Sequence, residues 1–252
     1  MFGYCMTDTE RKIPIWLIFL MGVLYIISNQ PDLSMARMYN LNLAEFTVIT
    51  FSNQYYFLLI FFPLLFLLLL RLDWTPSISV LARKPKFTSY LKARVYSLLI
   101  LLLVLLIYHF FLAVAMGITL NPTGHRISGY NHFDSILNLF ENQFSSLYIA
   151  IGFVLLNYFL GLVCISALVG FILIYIPKKF KIATLIVLYF FIFFGVQRSS
   201  VWGLTPFFIS NYILLSNAIA SDLFPVSLVL MIGITVLVFF FISKRWWRAK
   251  SW

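Results

Sequence analysis

Six stretches of the chain are apolar at nearly every position and carry no Asp, Glu, Lys or Arg: Ile13–Ser28, Tyr55–Leu70, Val95–Leu120, Leu147–Ile176, Ile182–Val196 and Val226–Ile242. A helix rises about 1.5 Å per residue and a hydrocarbon core is roughly 30 Å thick, so each stretch is long enough, or nearly so, to cross a bilayer. Backbone polar groups in lipid must be satisfied within the segment, which makes these stretches helical. The pattern predicts an all-α membrane protein of six transmembrane helices. The whole of 1–252 is expected to form one transmembrane domain, because the segments between spans are too short for an independent soluble core.

The charges between the stretches are sorted. With the N-terminus placed in the cytoplasm, all of the 18 Lys and Arg except Arg37, Arg126 and Arg198 fall on the inner side. Cytoplasmic loops collect Lys and Arg, so the expected topology is N-in, C-in. The formal charge of +10 therefore reads as membrane topology, with basic ends facing anionic lipid headgroups, and not as a nucleic-acid footprint. Composition agrees. Hydrophobic residues make up 62% and charged residues 10% of the chain, against roughly 45–50% and 25% in soluble domains.

Ile13–Ser28 follows a basic flank with no small-residue cleavage site after it, so it is expected to be a retained span. Cys5 and Cys164 are too far apart in the predicted topology to pair, and a lone membrane cysteine is usually a packing residue. The outer loops lack a usable glycosylation sequon, since Asn121-Pro122-Thr123 carries the forbidden proline. This fits a multi-pass protein of the bacterial cytoplasmic membrane.

The segments between spans carry further expectations. In the first outer loop the partly apolar stretch Leu41–Phe51 is read as lying on the surface. Pro63, inside the second span, marks a kink. The loop Arg71–Arg94 contains Thr75, a good N-cap, followed by Pro76, a good first helical residue, and Pro85 limits the helix at its far end. The spacing predicts a short helix over Pro76–Arg83 with Ile78, Leu81 and Ala82 on one face. It is either a helix that docks into a cytoplasmic partner or one that lies on headgroups with its cations snorkelling. The second outer loop, Asn121–Ser146, holds His125, His132, Asp134 and Glu141 at spacings that match no metal-ligand motif, so a solvated loop is expected and no metal site. The third outer segment contains a mostly apolar stretch, Val201–Ala220. A seventh span there would put the basic C-terminus outside, so a re-entrant helical hairpin is expected. The tail carries Trp246, Trp247 and Trp252 beside four cations, the composition of an interfacial anchor.

No catalytic residues are assigned. The chain has no H-E-x-x-H, no G-x-S-x-G and no phosphate-binding G-x-x-x-x-G-K-[ST]. The six apolar stretches hold no acid, whereas ion-driven carriers generally need polar ion sites within the membrane. Energy for uphill movement would then come from another polypeptide. Three polar residues remain inside the spans: Tyr108 and His109 near the middle of the third, and Asn157 in the outer half of the fourth. They are candidates for a substrate pathway, with interhelical packing as the alternative.

The order of these parts resembles the permease subunit of a type-2 ATP-binding-cassette exporter. It has six spans with both termini inside, a short basic helix between the second and third, a very short inner link between the fourth and fifth, and an apolar re-entrant hairpin before the sixth. The segment LLLRLDWTPSISVLARKPKFTSYLKAR is similar to the coupling-helix region of small Gram-positive members. These permeases commonly begin with a longer amphipathic helix, and here only twelve residues precede the first span. The resemblance implies a permease dimer, with itself or a paralogue, and two copies of an ATP-binding-cassette ATPase that carry the ATP and Mg; no cofactor is expected on this chain. Thr75, Pro76, Ile78, Leu81, Arg83 and Lys84 would then couple to the ATPase, with Lys178 and Lys179 in a smaller second contact over Pro177–Lys181. The implied cargo is hydrophobic or amphipathic, in the first place a peptide. Two other classes remain: a secondary transporter or channel, and a membrane scaffold or immunity protein that binds a toxin without moving it.

Overall fold

The computed structural model describes residues 15–71, 87–120, 132–197 and 213–249, and all regular structure among them is helical. The elements are α1 (Ile15–Met38), α2 (Leu43–Phe51), a π-helical turn (Tyr56–Phe61) running into α3 (Phe62–Arg71), α4 (Phe87–Gly117), α5 (His132–Gln143), α6 (Leu147–Tyr175), α7 (Lys178–Gln197), α8 (Leu215–Ala220) and α9 (Val226–Ala249). Four helical segments are long and apolar enough to cross a membrane: Ile15–Met38, Val95–Gly117, Leu147–Tyr175 and Val226–Lys244. The pair Leu43–Phe51 and Tyr56–Leu70, bent by 50° at a short break, could serve as a fifth. Large apolar side chains such as Trp16, Phe19, Phe111, Val229 and Phe240 are exposed on the outside of the bundle, where a bilayer would cover them.

α6 is the centre. It packs against α2, α3, α4, α5, α7, α8 and α9. Its buried positions include small residues, among them Ala150, Gly161, Ser166, Ala167 and Gly170, which let neighbouring backbones approach. At Gly161 the approach is close. A Cβ there would stand 2.8 Å from Cγ1 of Ile213 and 3.1 Å from its Cα.

The first helix continues beyond the expected end at Ser28, through Pro31 to Met38. Its polar second half keeps helical geometry because its side chains find local and distant partners. Ser34 donates to the Pro31 carbonyl at 2.7 Å, and Arg37 donates to Thr119 beyond the end of α4 at 2.9 Å. The helix ends in a Schellman arrangement. Asn40 takes a left-handed φ of 55°, its N–H reaches the Arg37 carbonyl, and the Leu41 N–H reaches that of Ala36.

The stretch Leu41–Phe51 does not lie on the surface. It forms α2, in which every residue from Ala44 to Phe51 is buried. Asn42 and Glu45 close a capping box: the Glu45 N–H donates to Asn42 Oδ1 at 3.0 Å, and the Asn42 N–H donates to Glu45 Oε2 at 2.8 Å. The hydroxyls of Thr47, Thr50 and Ser52 turn back onto carbonyls of their own helix. With those groups satisfied, the helix can be buried on all sides.

Pro63 acts through the π-helical turn. In that turn the Phe62 N–H bonds the Phe57 carbonyl, five residues back. Pro63 has no N–H for the Leu58 carbonyl, which instead accepts from the Tyr189 hydroxyl of α7 at 2.9 Å. A missing backbone donor has become a tie between two helices.

The second outer loop is not wholly solvated either. Within it α5 places Phe133, Leu137 and Phe140 on a buried face, at i, i+4, i+7 spacing against α2 and α8. Of the expected re-entrant stretch Val201–Ala220, residues 213–220 are described. They hold one short helix, α8, whose residues Leu215–Ile219 are buried. It ends in a second Schellman arrangement, at Asp222 with φ 54°. The predicted docking helix Pro76–Arg83 lies outside the described residues.

Candidate functional site: a polar core at a broken helix

Among the described residues of α4 the buried positions are Leu98, Leu101, Leu102, Leu105, His109, Ala113, Met116 and Gly117. They form one stripe of helical period, and His109 falls within it. The imidazole is 1% exposed. Its Nε2 lies 2.7 Å from the Tyr56 hydroxyl of the π-helical turn, and its Nδ1 lies 3.1 Å from the Tyr158 hydroxyl of α6. A neutral imidazole has one donor and one acceptor nitrogen, so one tyrosine donates and the other accepts in either tautomer. The Tyr56 hydroxyl also reaches toward the Met21 carbonyl of α1 at 3.5 Å. Tyr25 stacks on the imidazole at 5.2 Å, and Phe61 meets it edge-on at 5.1 Å. One histidine thus ties together α1, the π-helical turn, α4 and α6.

A second polar cluster surrounds the break between α2 and the π-helical turn. Asn53 stands in the break. Its Oδ1 accepts from the Tyr56 N–H at 3.1 Å, capping the new helix. Its Nδ2 donates to Asn29 Oδ1 and to Asp32 Oδ2, both at 3.0 Å. Asn29, wholly buried, donates to the Tyr25 carbonyl at 2.8 Å. The next residue, Gln54, donates to Asn217 Oδ1 of α8 at 2.9 Å. Counted along α1, Asn29 stands about 21 Å from the Ile15 end, well inside the thickness of a bilayer. The break is therefore lined by polar side chains from α1, the chain segment itself and α8.

This corrects the expectation that the spans hold no acid. Asp32 lies within the first candidate span, and Glu45 lies within the bent pair, 6% exposed. Each is accommodated by an amide: Asp32 accepts from Asn53, and Glu45 from the backbone of Asn42.

The three expected pathway residues are placed as follows. Tyr108 is half-buried and leans on Gly22 of α1, where any Cβ would collide with its ring. His109 is sealed in the aromatic cluster. Asn157 is wholly buried and donates to the Ile213 carbonyl at 2.9 Å, holding the start of the α8 segment against α6. Among the described residues, its Oδ1 and the Nδ2 of Asn217 are buried without a hydrogen-bond partner. Of the expected coupling residues, Thr75, Pro76, Ile78, Leu81, Arg83 and Lys84 lie outside the described residues. Lys178 opens α7, and the exposed Lys179 holds its ammonium 4.9 Å from the centre of the Phe180 ring. Among the described residues no group of three or more His, Cys, Asp or Glu could hold a metal.

Sequence reasoning missed Tyr56 and Tyr158, the partners of His109, and the whole cluster at the break. Two signals were there to read. Asn42-x-x-Glu45 before an apolar run is a capping-box pattern. The tripeptide Ser-Asn-Gln occurs both at Ser28–Gln30 and at Ser52–Gln54, and the fold joins the two through Asn29 and Asn53.

No protein-family model, no curated protein and no solved structure matches the chain. The function therefore has to be read from the chain's own geometry, whose polar core offers hydrogen-bonding groups at a helix break within the bundle.

Proposed function

We propose that this chain is the membrane-spanning subunit of an exporter driven by a separate ATP-binding-cassette ATPase. On this reading it crosses the bacterial cytoplasmic membrane six times, with both termini inside. The fifth span is α7, and the cargo is hydrophobic or amphipathic, in the first place a peptide. The observation that carries the reading is the pairing of two parts. The buried helix α8 folds into the bundle directly before the last long helix, as a re-entrant segment would. The basic turn at Lys178–Lys181 lies at the far end of α7, in a chain whose Lys and Arg are sorted to one side. The chain carries no G-x-x-x-x-G-K-[ST] loop, which supports the reading that ATP and Mg sit on the partner.

The test is reconstitution. Affinity-tagged chain should co-purify with an ATPase, and amphipathic helical peptides should stimulate that ATPase in nanodiscs. Leu81→Asp should abolish the association while leaving membrane insertion intact. Stimulation by a lipid-linked sugar and by no peptide would overturn the cargo, and the absence of any associated ATPase would overturn the reading.

One observation favours a second reading. A discontinuous helix lined by Asn29, Asp32, Asn53, Gln54 and Asn217 is the kind of place where ion-coupled carriers hold substrate or ion. On that reading proteoliposomes holding this chain alone would accumulate substrate on an imposed ion gradient, and Asp32→Asn would abolish the coupling.

A further inference from the structure

Two segments far apart in sequence meet at one end of the bundle. α6 ends at Tyr175 and turns through Pro177 into α7, whose first residues include Lys178, Lys179 and Lys181. The Tyr175 hydroxyl donates to the Phe241 carbonyl of α9, which fixes the last turns of α9 beside that turn. Those last turns carry Lys244, Arg245 and Arg248, and Lys250 follows. Among the described residues, six Lys and Arg positions thus fall at one end, with the placed ammoniums of Lys179 and Lys244 among them. From Glu141 to the end of the chain Asp222 is the one further acid. It stands before α9, on the other side of a 24-residue helix, about 36 Å away along the axis. α6, α7 and α9 themselves hold no carboxylate to offset the charge.

The local surroundings are apolar. Phe180, Ile182, Phe240 and Phe241 are all exposed. The Lys179 and Lys244 ammoniums lie over the rings of Phe180 and Phe240, at 4.9 and 6.0 Å from their centres. A cation resting on a lipid-facing ring at a helix end stands at the boundary between hydrocarbon and headgroups. That combination, a basic cluster directly above exposed aromatic and aliphatic surface, matches an amphiphile with an anionic head. A soluble acidic protein would meet the charge but would leave the apolar surface uncovered.

We infer that the end of the bundle formed by the α6–α7 turn and the last turns of α9 binds an anionic phospholipid of the inner leaflet, with the headgroup phosphate held by Lys179, Lys181 and Lys244. The site depends on the inside placement of these loops and not on the exporter reading, so it stands whether or not an ATPase is found. It reassigns Lys179 from the ATPase to the membrane.

The test uses the full chain in nanodiscs made of phosphatidylglycerol or of phosphatidylcholine with the same acyl chains, together with native mass spectrometry of detergent-purified protein. Wild type should retain phosphatidylglycerol selectively and melt higher in it than in phosphatidylcholine, and added salt should erase the difference. A cation near an anionic surface contributes about a fivefold preference, so Lys179→Gln with Lys244→Gln should lower the selectivity about twenty-five-fold. The melting temperature in phosphatidylcholine should not change. Lys179→Arg with Lys244→Arg should keep most of the preference. Equal retention of the two lipids by wild type would overturn the proposal. So would an unchanged preference in the glutamine pair, or an equal rise in melting temperature with inorganic phosphate alone. Loss of ATPase association in the glutamine pair with lipid selectivity intact would return these lysines to the ATPase.

Discussion

α6 and α9 look alike as sequence and behave differently in the fold. Both are long, apolar and free of charge through their middles, and both pass as candidate spans. Yet 61% of the most apolar window of α6 is buried inside the bundle, against 22% for α9. The difference lies in which residues interrupt the apolar run. α6 carries Asn157, Tyr158 and Gly161 at buried positions, where Ile213 and His109 meet them. α9 carries Gly233 with open space around it and shows Val229, Ile232, Val236, Leu237, Phe240 and Phe241 to the outside. Apolar side chains gain little by leaving lipid for protein, so small and polar residues decide which helix goes to the centre.

The comparison can be broken most forcefully at His109. His109→Ala removes the ring and leaves the Tyr56 and Tyr158 hydroxyls buried without their shared partner. An orphaned buried polar group costs about 1–3 kcal/mol, and the cavity adds to it. The expected outcome is a large fall in thermal stability, of about 3 kcal/mol or more. Phe240→Ala on the exposed face of α9 should stay within about 0.5 kcal/mol. A thermal-shift comparison in one detergent checks both. A stable His109→Ala protein with altered transport would move His109 from packing to the substrate path.

Gly161→Leu should come next. The Ile213 backbone is close enough that the added side chain has to displace the α8 segment, and overpacking of this kind costs about 1–3 kcal/mol. Gly233→Leu in α9, with nothing within 4 Å, should be neutral. Equal effects at the two glycines, read by urea or thermal unfolding, would erase the contrast between the helices.

The tie from α7 is smaller. Tyr189→Phe leaves the Leu58 carbonyl without its donor and should cost about 0.6 kcal/mol, the mean for such bonds in membrane bundles, up to about 1.7. Pro63→Ala supplies a backbone N–H in the right place, so Tyr189→Phe should cost less in that background. A double-mutant cycle reads the coupling, and additive effects would show that the proline and the tyrosine are independent.

Asn53→Ala should weaken three links at once, to Asn29, to Asp32 and to the Tyr56 N–H. Only the last is a helix cap, worth about 1 kcal/mol. Increased proteolytic or hydrogen-exchange opening of residues 43–61, with α9 unchanged, is the expected signature.

These contrasts show what was legible in the chain. The candidate spans within α4, α6 and α9 could be read from unbroken apolar runs, because lipid demands them. α1 was read short because polarity after Ser28 resembles a membrane exit, and only the partners Asn53 and Thr119 show why the helix goes on. α2 was read as surface because it is a partly apolar stretch of a loop between spans, although Glu45, Thr47 and Thr50 are satisfied by nearby backbone groups. His109 stood out as an intramembrane histidine, but its neighbours Tyr56 and Tyr158 are 53 and 49 residues away, and no local pattern brings them together.

By itself the sequence determined that the protein is helical, that its apolar segments belong in a membrane, and which ends of those segments are basic. Those properties follow from transfer free energies and backbone hydrogen bonding, which act residue by residue and segment by segment. Tertiary structure decided which apolar helix became the centre, that Asn29 and Asp32 meet Asn53 across a broken helix, and that Lys179 and Lys244 share one end of the bundle. Those depend on shape and on partners distant in sequence, and hydropathy carries no information about either.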